Sequence, residues 1–179
     1  GNLQVAFLTA LSIYNLAIYD LLPISKKSDG TYIIQIIIIA FSLFSFIITF
    51  IREIIKDIED IEGDNKFKSN TLPIKYGVIN AKKIAILFIL ITLTLLAYFQ
   101  YFQFSVLNTT FSFNISYWGA NNISVSYTIL IELVLVLLLK YIYSAKTKSD
   151  FENTSNICKY LMILGILSIP IFTFSHLYI

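Results

Sequence analysis

The feature that most constrains this chain is a set of apolar runs without charge that are long enough to cross a lipid bilayer. The longest stretch lacking Asp, Glu, Lys and Arg covers residues 84–131, more than twice the ~20 residues that one transmembrane helix needs. Within the hydrocarbon core only helices and closed barrels satisfy every backbone polar group, and continuous apolar runs are typical of helices. The sequence therefore predicts an all-α membrane protein.

Polar stretches divide the chain into five transmembrane spans. The run at 84–131 is split because residues 100–123 are rich in Asn, Ser and Thr. Charged residues make up 13% of the chain, against about 25% in soluble domains, which agrees with a single transmembrane domain. A loop rich in aspartate, at residues 52–83, separates the second span from the third. The predicted spans lie at about residues 1–19, 31–51, 84–101, 124–143 and 157–179.

The distribution of lysine and arginine predicts the orientation. Five spans place residues 52–83 and 140–159 on one side, and these segments hold eleven of the thirteen basic residues; Lys26 and Lys27 lie on the other side. The rule that basic loops stay inside therefore makes the aspartate-rich loop cytoplasmic, in a multi-pass protein of the cell membrane.

Composition also limits the partners and the kinds of cysteine site that this chain can have. The formal net charge of +2 and the absence of a basic run argue against nucleic acid as a partner. Cys158 is the only cysteine, which excludes an internal disulfide and a zinc site built from cysteines.

Six of the eleven acidic residues fall in one short stretch after the second span. Four of them follow one another by four, three and four residues, which predicts a shared helix face: Glu53, Asp57, Asp60 and Asp64. Like charges so arranged repel one another and favour a hard divalent cation such as Mg²⁺. A solvated loop is the plain alternative, although the helical spacing favours a metal site. A calcium-binding EF-hand does not fit, because Gly63 comes one position too late when counted from Asp57.

The position of this stretch at the end of a span indicates the ligand. Carboxylates hold magnesium, magnesium bridges phosphate oxygens, and a neighbouring Arg52 or Lys56 neutralises the remaining charge. A ligand with a diphosphate head and a tail among apolar helices is a polyprenyl diphosphate. Its partner in a reaction would be a lipid-like acceptor in the bilayer.

The wording of the stretch resembles a known motif. Residues 52–64 read REIIKDIEDIEGD and residues 71–77 read TLPIKYG. They are similar to the second aspartate-rich motif of the UbiA superfamily of intramembrane prenyltransferases, with wording closest to the archaeal-type digeranylgeranylglyceryl phosphate synthases. The opening residues GNLQVAFL resemble the start of the family's fifth helix. The resemblance implies the C-terminal part, helices five to nine, of a nine-helix bundle.

The resemblance also implies a role for each residue of the motif. The reaction would be magnesium-dependent transfer of a geranylgeranyl group from its diphosphate to the hydroxyl of geranylgeranylglyceryl phosphate. The catalytic, metal-binding carboxylates would be Asp57, Asp60 and Asp64, with Glu53 in support. The groups that hold the diphosphate would be Arg52, Lys56, Lys66 and Lys68.

Three alternatives stay open at this point. The family's first aspartate-rich motif is not found in this sequence, so we expect the chain alone to be inactive, and a non-catalytic membrane subunit is one alternative. Prenylation of an aromatic acceptor is another, since the metal motif serves the donor. A transporter fragment predicts polar residues along several spans, and only Glu132 qualifies. We favour a neutral Glu132, or one bonded to another helix, over a residue lining a cavity.

Overall fold

The computed structural model describes residues 1–21, 29–107 and 118–178, and within them the regular structure is helical, without strands. Lys26, Lys27 and the centre of the neutral loop after the third span lie outside the described residues. Five helices are long and apolar enough to cross a membrane, as predicted. The helices are α1 (Asn2–Leu16), continued by a π-helical turn (Ala17–Leu21), α2 (Asp29–Glu59), α3 (Ile61–Lys66), α4 (Leu72–Tyr76), α5 (Val78–Leu107), α6 (Asn122–Ser144) and α7 (Lys148–Tyr178).

Three of the long helices extend beyond the apolar runs that predicted them. Helix α2 continues eight residues past residue 51, up to Glu59; α5 begins at Val78 rather than 84, and α7 begins at Lys148 rather than 157. Glu, Lys and Arg are good helix formers, so a charged flank does not end a helix. Hydropathy therefore marks the part of each helix suited to the bilayer rather than its full length.

Helix α2 is the centre of the bundle. It packs against α1, α5 and α7, and α6 lies between α5 and α7. Helix α5 contributes small side chains to the same core, Ala81 and Ala85, which are fully buried. One face of α2 supplies the largest share of the core through a row of buried isoleucines: Ile47, Ile48, Ile51, Ile54, Ile55 and Ile58.

A glycine allows α7 to approach α2. A Cβ atom added to Gly165 would lie 2.8 Å from Cε1 of Phe44, closer than two carbon atoms pack without strain. Because Phe44 is a rigid aromatic ring in a helix interface, it has little room to retreat. Small residues at such positions are a general way to bring membrane helices together.

The end of the bundle opposite the acidic stretch is closed by polar and aromatic contacts. The indole of Trp118 donates a hydrogen bond to Oγ1 of Thr173 at 3.1 Å and meets the ring of Phe172 edge to face at 5.3 Å. The amide Nδ2 of Asn121 donates to Oγ of Ser175 at 2.9 Å. These contacts attach the segment before α6 to the last turns of α7.

We predict that Gly165→Ala destabilises the protein by about 1–3 kcal/mol, because the new methyl group overpacks the α2–α7 interface. Unfolding in mixed micelles, followed by circular dichroism, measures the difference. Gly63→Ala is the matched control, since nothing lies within 4 Å of its added Cβ, and it should be neutral or stabilising by up to about 1 kcal/mol. Phe44→Leu should restore part of the loss in the double variant. Equal stabilities of the two alanine variants would contradict this packing.

Candidate metal and diphosphate site

The candidate site lies in residues 52–76, which we call the acidic cap. Its first part is the end of α2, where Ile54, Ile55 and Ile58 are buried, with 0%, 1% and 4% of their surface exposed. These side chains fix the last turns of α2 against the bundle. The charged residues between them, including Glu53 and Asp57, therefore project from a rigid support, and both are partly exposed.

The helix is interrupted at Asp60, so the prediction of one continuous carboxylate face is wrong at this residue. Helix α2 ends at Glu59 and α3 begins at Ile61, with Asp60 between them at φ −100° and ψ 15°. The hydrogen bonds from Asp60 N to Lys56 O (2.9 Å) and from Asp64 N to Asp60 O (3.0 Å) keep the helical direction across the break.

Asp57 is the carboxylate that the structure surrounds most fully. Its Oδ2 accepts a hydrogen bond of 2.6 Å from Nδ2 of Asn2, at the start of α1. The negative charges of Asp64 and Glu53 act on it, and so does the positive charge of Lys56. Asp57 is therefore close enough to Glu53, and across the break to Asp64, to be affected by the charge of each.

Asp60 instead contacts the beginning of α7. Its Oδ1 lies 3.6 Å from Nζ of Lys148, and both side chains are more than half exposed. Exposed ion pairs contribute little to stability, so this contact is easily exchanged for another. The turn that carries Lys148 is itself well fixed, because Oδ2 of Asp150 accepts hydrogen bonds from the backbone N–H groups of Lys146 (2.9 Å) and Thr147 (2.8 Å).

The predicted cations fall into two groups. Arg52 lies in the helical part of the cap, where Nη1 donates to Oε1 of Glu53 at 2.9 Å. Its Nε is buried and has no hydrogen-bond acceptor among the described residues. Lys66 and Lys68 are exposed in the segment after α2. Lys68 has a left-handed backbone (φ 54°), where the chain leaves α3.

The residues of the cap have the oxygen ligands that magnesium prefers, but the described residues do not form a closed cage around a metal ion. Within the described part of the chain no three His, Cys, Asp or Glu side chains converge into a metal cluster. Magnesium is commonly held by one or two carboxylates, with waters and substrate phosphates as its other ligands. The carboxylates of Glu53, Asp57 and Asp64 offer oxygens of this kind, and Nε of Arg52, which is buried without an acceptor among the described residues, is a donor suited to a phosphate oxygen.

Two residues of the site were not predicted from the sequence. Asn2 and Lys148 reach the cap from α1 and α7, and the local spacing around Asp57 gives no signal for either. Glu132 was singled out, and its Oε1 is buried without a hydrogen-bond partner among the described residues. Within the described residues, Oε1 of Glu132 therefore does not make the hydrogen bond to another helix that we considered for this residue.

Fold and site together define a helical membrane protein with an acidic cap, rich in carboxylate oxygens, at one end of the bundle. The chain is similar to proteins named digeranylgeranylglyceryl phosphate synthase. It is 32% identical to that of Methanosphaera stadtmanae over 163 residues, 91% of this chain and 49% of the relative. It is 33% identical to that of Methanobrevibacter smithii over 178 residues, 98% of this chain and 53% of the relative. It is 32% identical to that of Saccharolobus solfataricus over 179 residues, 99% and 52%.

On this similarity the chain belongs to the UbiA family of prenyltransferases. It spans about half the length of the curated relatives that it matches. No family model matches the chain. No solved structure matches it either.

We predict that Asp57→Asn and Asp64→Asn each weaken binding of Mn²⁺, a stand-in for Mg²⁺, by about tenfold or more, because affinity for hard cations follows the charge of the ligands. Electron paramagnetic resonance of free Mn²⁺, with full-length protein in detergent, measures the change. Glu62→Gln removes a charge from the same segment at an exposed position and should bind as the unmodified protein does. Equal losses in all three variants would indicate a general charge effect instead of a site.

Proposed function

We propose that this chain provides the donor-binding half of a prenyltransferase site for ether-lipid synthesis. The reaction is the transfer of a geranylgeranyl group from its diphosphate to the hydroxyl of geranylgeranylglyceryl phosphate. One observation carries the proposal: the acidic end of α2, at one end of an apolar bundle, carries the carboxylates of Glu53 and Asp57 together with Arg52, whose buried Nε has no acceptor among the described residues. The names of the relatives, which are digeranylgeranylglyceryl phosphate synthases, support the choice of donor and acceptor.

The reaction breaks the bond between C1 of the prenyl chain and the diphosphate oxygen, and forms an ether bond from the acceptor hydroxyl to C1. Diphosphate and one proton are released. Magnesium, when bound, stabilises the charge that develops on the departing diphosphate. Asp57 and Asp64 would hold it, with Asp60 joining them once it leaves Lys148, and Glu53 in support. Arg52 would donate to the diphosphate, helped by Lys56, Lys66 and Lys68.

The apolar part of the bundle has its own role in this proposal. An allylic cation, or a transition state close to one, reacts with water unless water is excluded. Closely packed helices beside the cap provide such an environment, as in the contact of Phe50 with Phe88, whose ring centroids are 4.9 Å apart. Aromatic faces also stabilise nearby positive charge.

The catalytic proposal predicts that Asp57→Ala and Asp64→Ala lower magnesium-dependent turnover of geranylgeranyl diphosphate by at least about a hundredfold, as expected when stabilisation of a leaving group is lost. A radiolabelled donor and the lipid acceptor, added to full-length protein in membranes, give the rate. Glu62→Ala is the matched control and should retain normal turnover. Membrane insertion should be unchanged in all three variants. Full activity of both aspartate variants would refute the metal assignment.

We also propose that the protein lies in the cell membrane with the acidic cap facing the cytoplasm. Eleven of the thirteen basic residues lie on the cap side of the five spans, and basic loops stay inside. In a Cys158→Ser background, Glu62→Cys and Asn122→Cys place exposed thiols at opposite ends of the bundle. A membrane-impermeant maleimide should label Asn122→Cys in intact cells and Glu62→Cys only after permeabilisation. The reverse pattern would invert the proposed orientation.

A further inference from the structure

Asn2 occupies an unusual place for a polar side chain. Asn2 is the first residue of α1 and precedes Asp57 by 55 positions in the sequence. Its Nδ2 nevertheless donates a partly buried hydrogen bond of 2.6 Å to Oδ2 of Asp57. Through this hydrogen bond, α1 contacts the candidate site. No feature of the motif around Asp57 requires a partner from another helix.

We propose that Asn2 is a positioning residue for Asp57: it fixes one oxygen of the carboxylate, Oδ2, and so orients the other oxygen to bind a divalent cation. The inference rests on the proposed function, since it concerns the same metal site. It assigns to α1 a part in the site that the aspartate-rich motif does not include.

Electrostatics explains why a position of this kind needs a holding contact. The charges of Glu53 and Asp64 act on Asp57, and without a cation they repel it. Free rotation would carry the Asp57 carboxylate away from its neighbours and disperse the site. A hydrogen bond to one oxygen, Oδ2, opposes that rotation and leaves Oδ1 to a metal.

The chemical nature of the partner matters as much as its place. The amide of Asn2 is neutral, so it orients the carboxylate without cancelling its charge. Lys148 is a contrasting partner, because its ammonium group neutralises Asp60 at 3.6 Å and competes directly with a metal ion. Asn2 therefore behaves as outer-shell groups do at metal sites, where they orient the ligands.

A purely structural role, tying α1 to α2, is the competing explanation. The two helices already share extensive apolar contact, and Ala6, one turn along α1 from Asn2, is fully buried in it. Loss of one hydrogen bond at the end of α1 should therefore leave the helices packed. The two explanations differ in whether metal affinity or only stability responds to the loss.

The test is Mn²⁺ binding by full-length protein in detergent, followed by electron paramagnetic resonance of the free ion. Asn2→Ala and Asn2→Leu, the second of similar size, should each weaken Mn²⁺ binding by about tenfold, the lower end of the effect of losing an outer-shell partner. Gln4→Ala is the matched control. Gln4 is exposed in the same turn of α1, so its variant should keep the original affinity. Metal-free melting temperatures of the variants report any structural loss.

A double-mutant cycle makes the test specific to Asp57. In an Asp57→Asn background, Asn2→Ala should change the residual Mn²⁺ affinity by less than about twofold, because the carboxylate that it positions is gone. The same loss with and without Asp57 would overturn the inference, and so would unchanged affinity of both Asn2 variants. Unchanged affinity together with normal turnover would leave the proposed function standing. An unmodified protein that binds no Mn²⁺ would overturn the metal site and the inference together.

Discussion

The buried isoleucine face of α2 is the interaction on which the rest of the structure depends. It runs without interruption from Ile47, inside the bundle, to Ile58, inside the acidic cap. In the bilayer such contacts are favourable because the side chains pack well, while at the aqueous end they also remove apolar surface from water. The same row of side chains thus serves two environments. As a result, charged residues at the end of α2 are held by a core that the membrane helices complete.

This support explains how strongly repelling groups can stay in an ordered segment. The carboxylates of the cap have polar partners on two different flanking helices. Asp57 is bonded to Asn2 of α1, and Asp60 is paired with Lys148 of α7. One partner is neutral and partly buried, and the other is charged and exposed. The cap therefore has one carboxylate with a short, partly buried hydrogen bond and one in an exposed, easily exchanged ion pair.

The sequence predicted the parts of this arrangement that depend on local pattern. Five spans follow from runs without charge, and the association of Asp57 with Glu53 and Asp64 follows from helical spacing. The break at Asp60 was missed, because spacing alone treats the backbone as ideal and ignores a nearby lysine. Asn2 and Lys148 were missed for another reason. Each reaches the cap through the packing of a separate helix, and hydropathy does not specify which residue of a helix end meets a given carboxylate.

The open form of the cap has a consequence for the order in which ligands act. Magnesium prefers six oxygen ligands, and the interacting carboxylates of Glu53, Asp57 and Asp64 supply at most three if each uses one oxygen. In the proposed function, water and diphosphate oxygens would complete the shell. The donor and the metal would then stabilise each other in the site, since each supplies what the other lacks, and this binding coupling would be reciprocal. Nε of Arg52 is buried without an acceptor among the described residues, and in the proposed function the diphosphate would provide that acceptor. Residues that hold the carboxylates in place thus contribute to donor binding without contacting the donor.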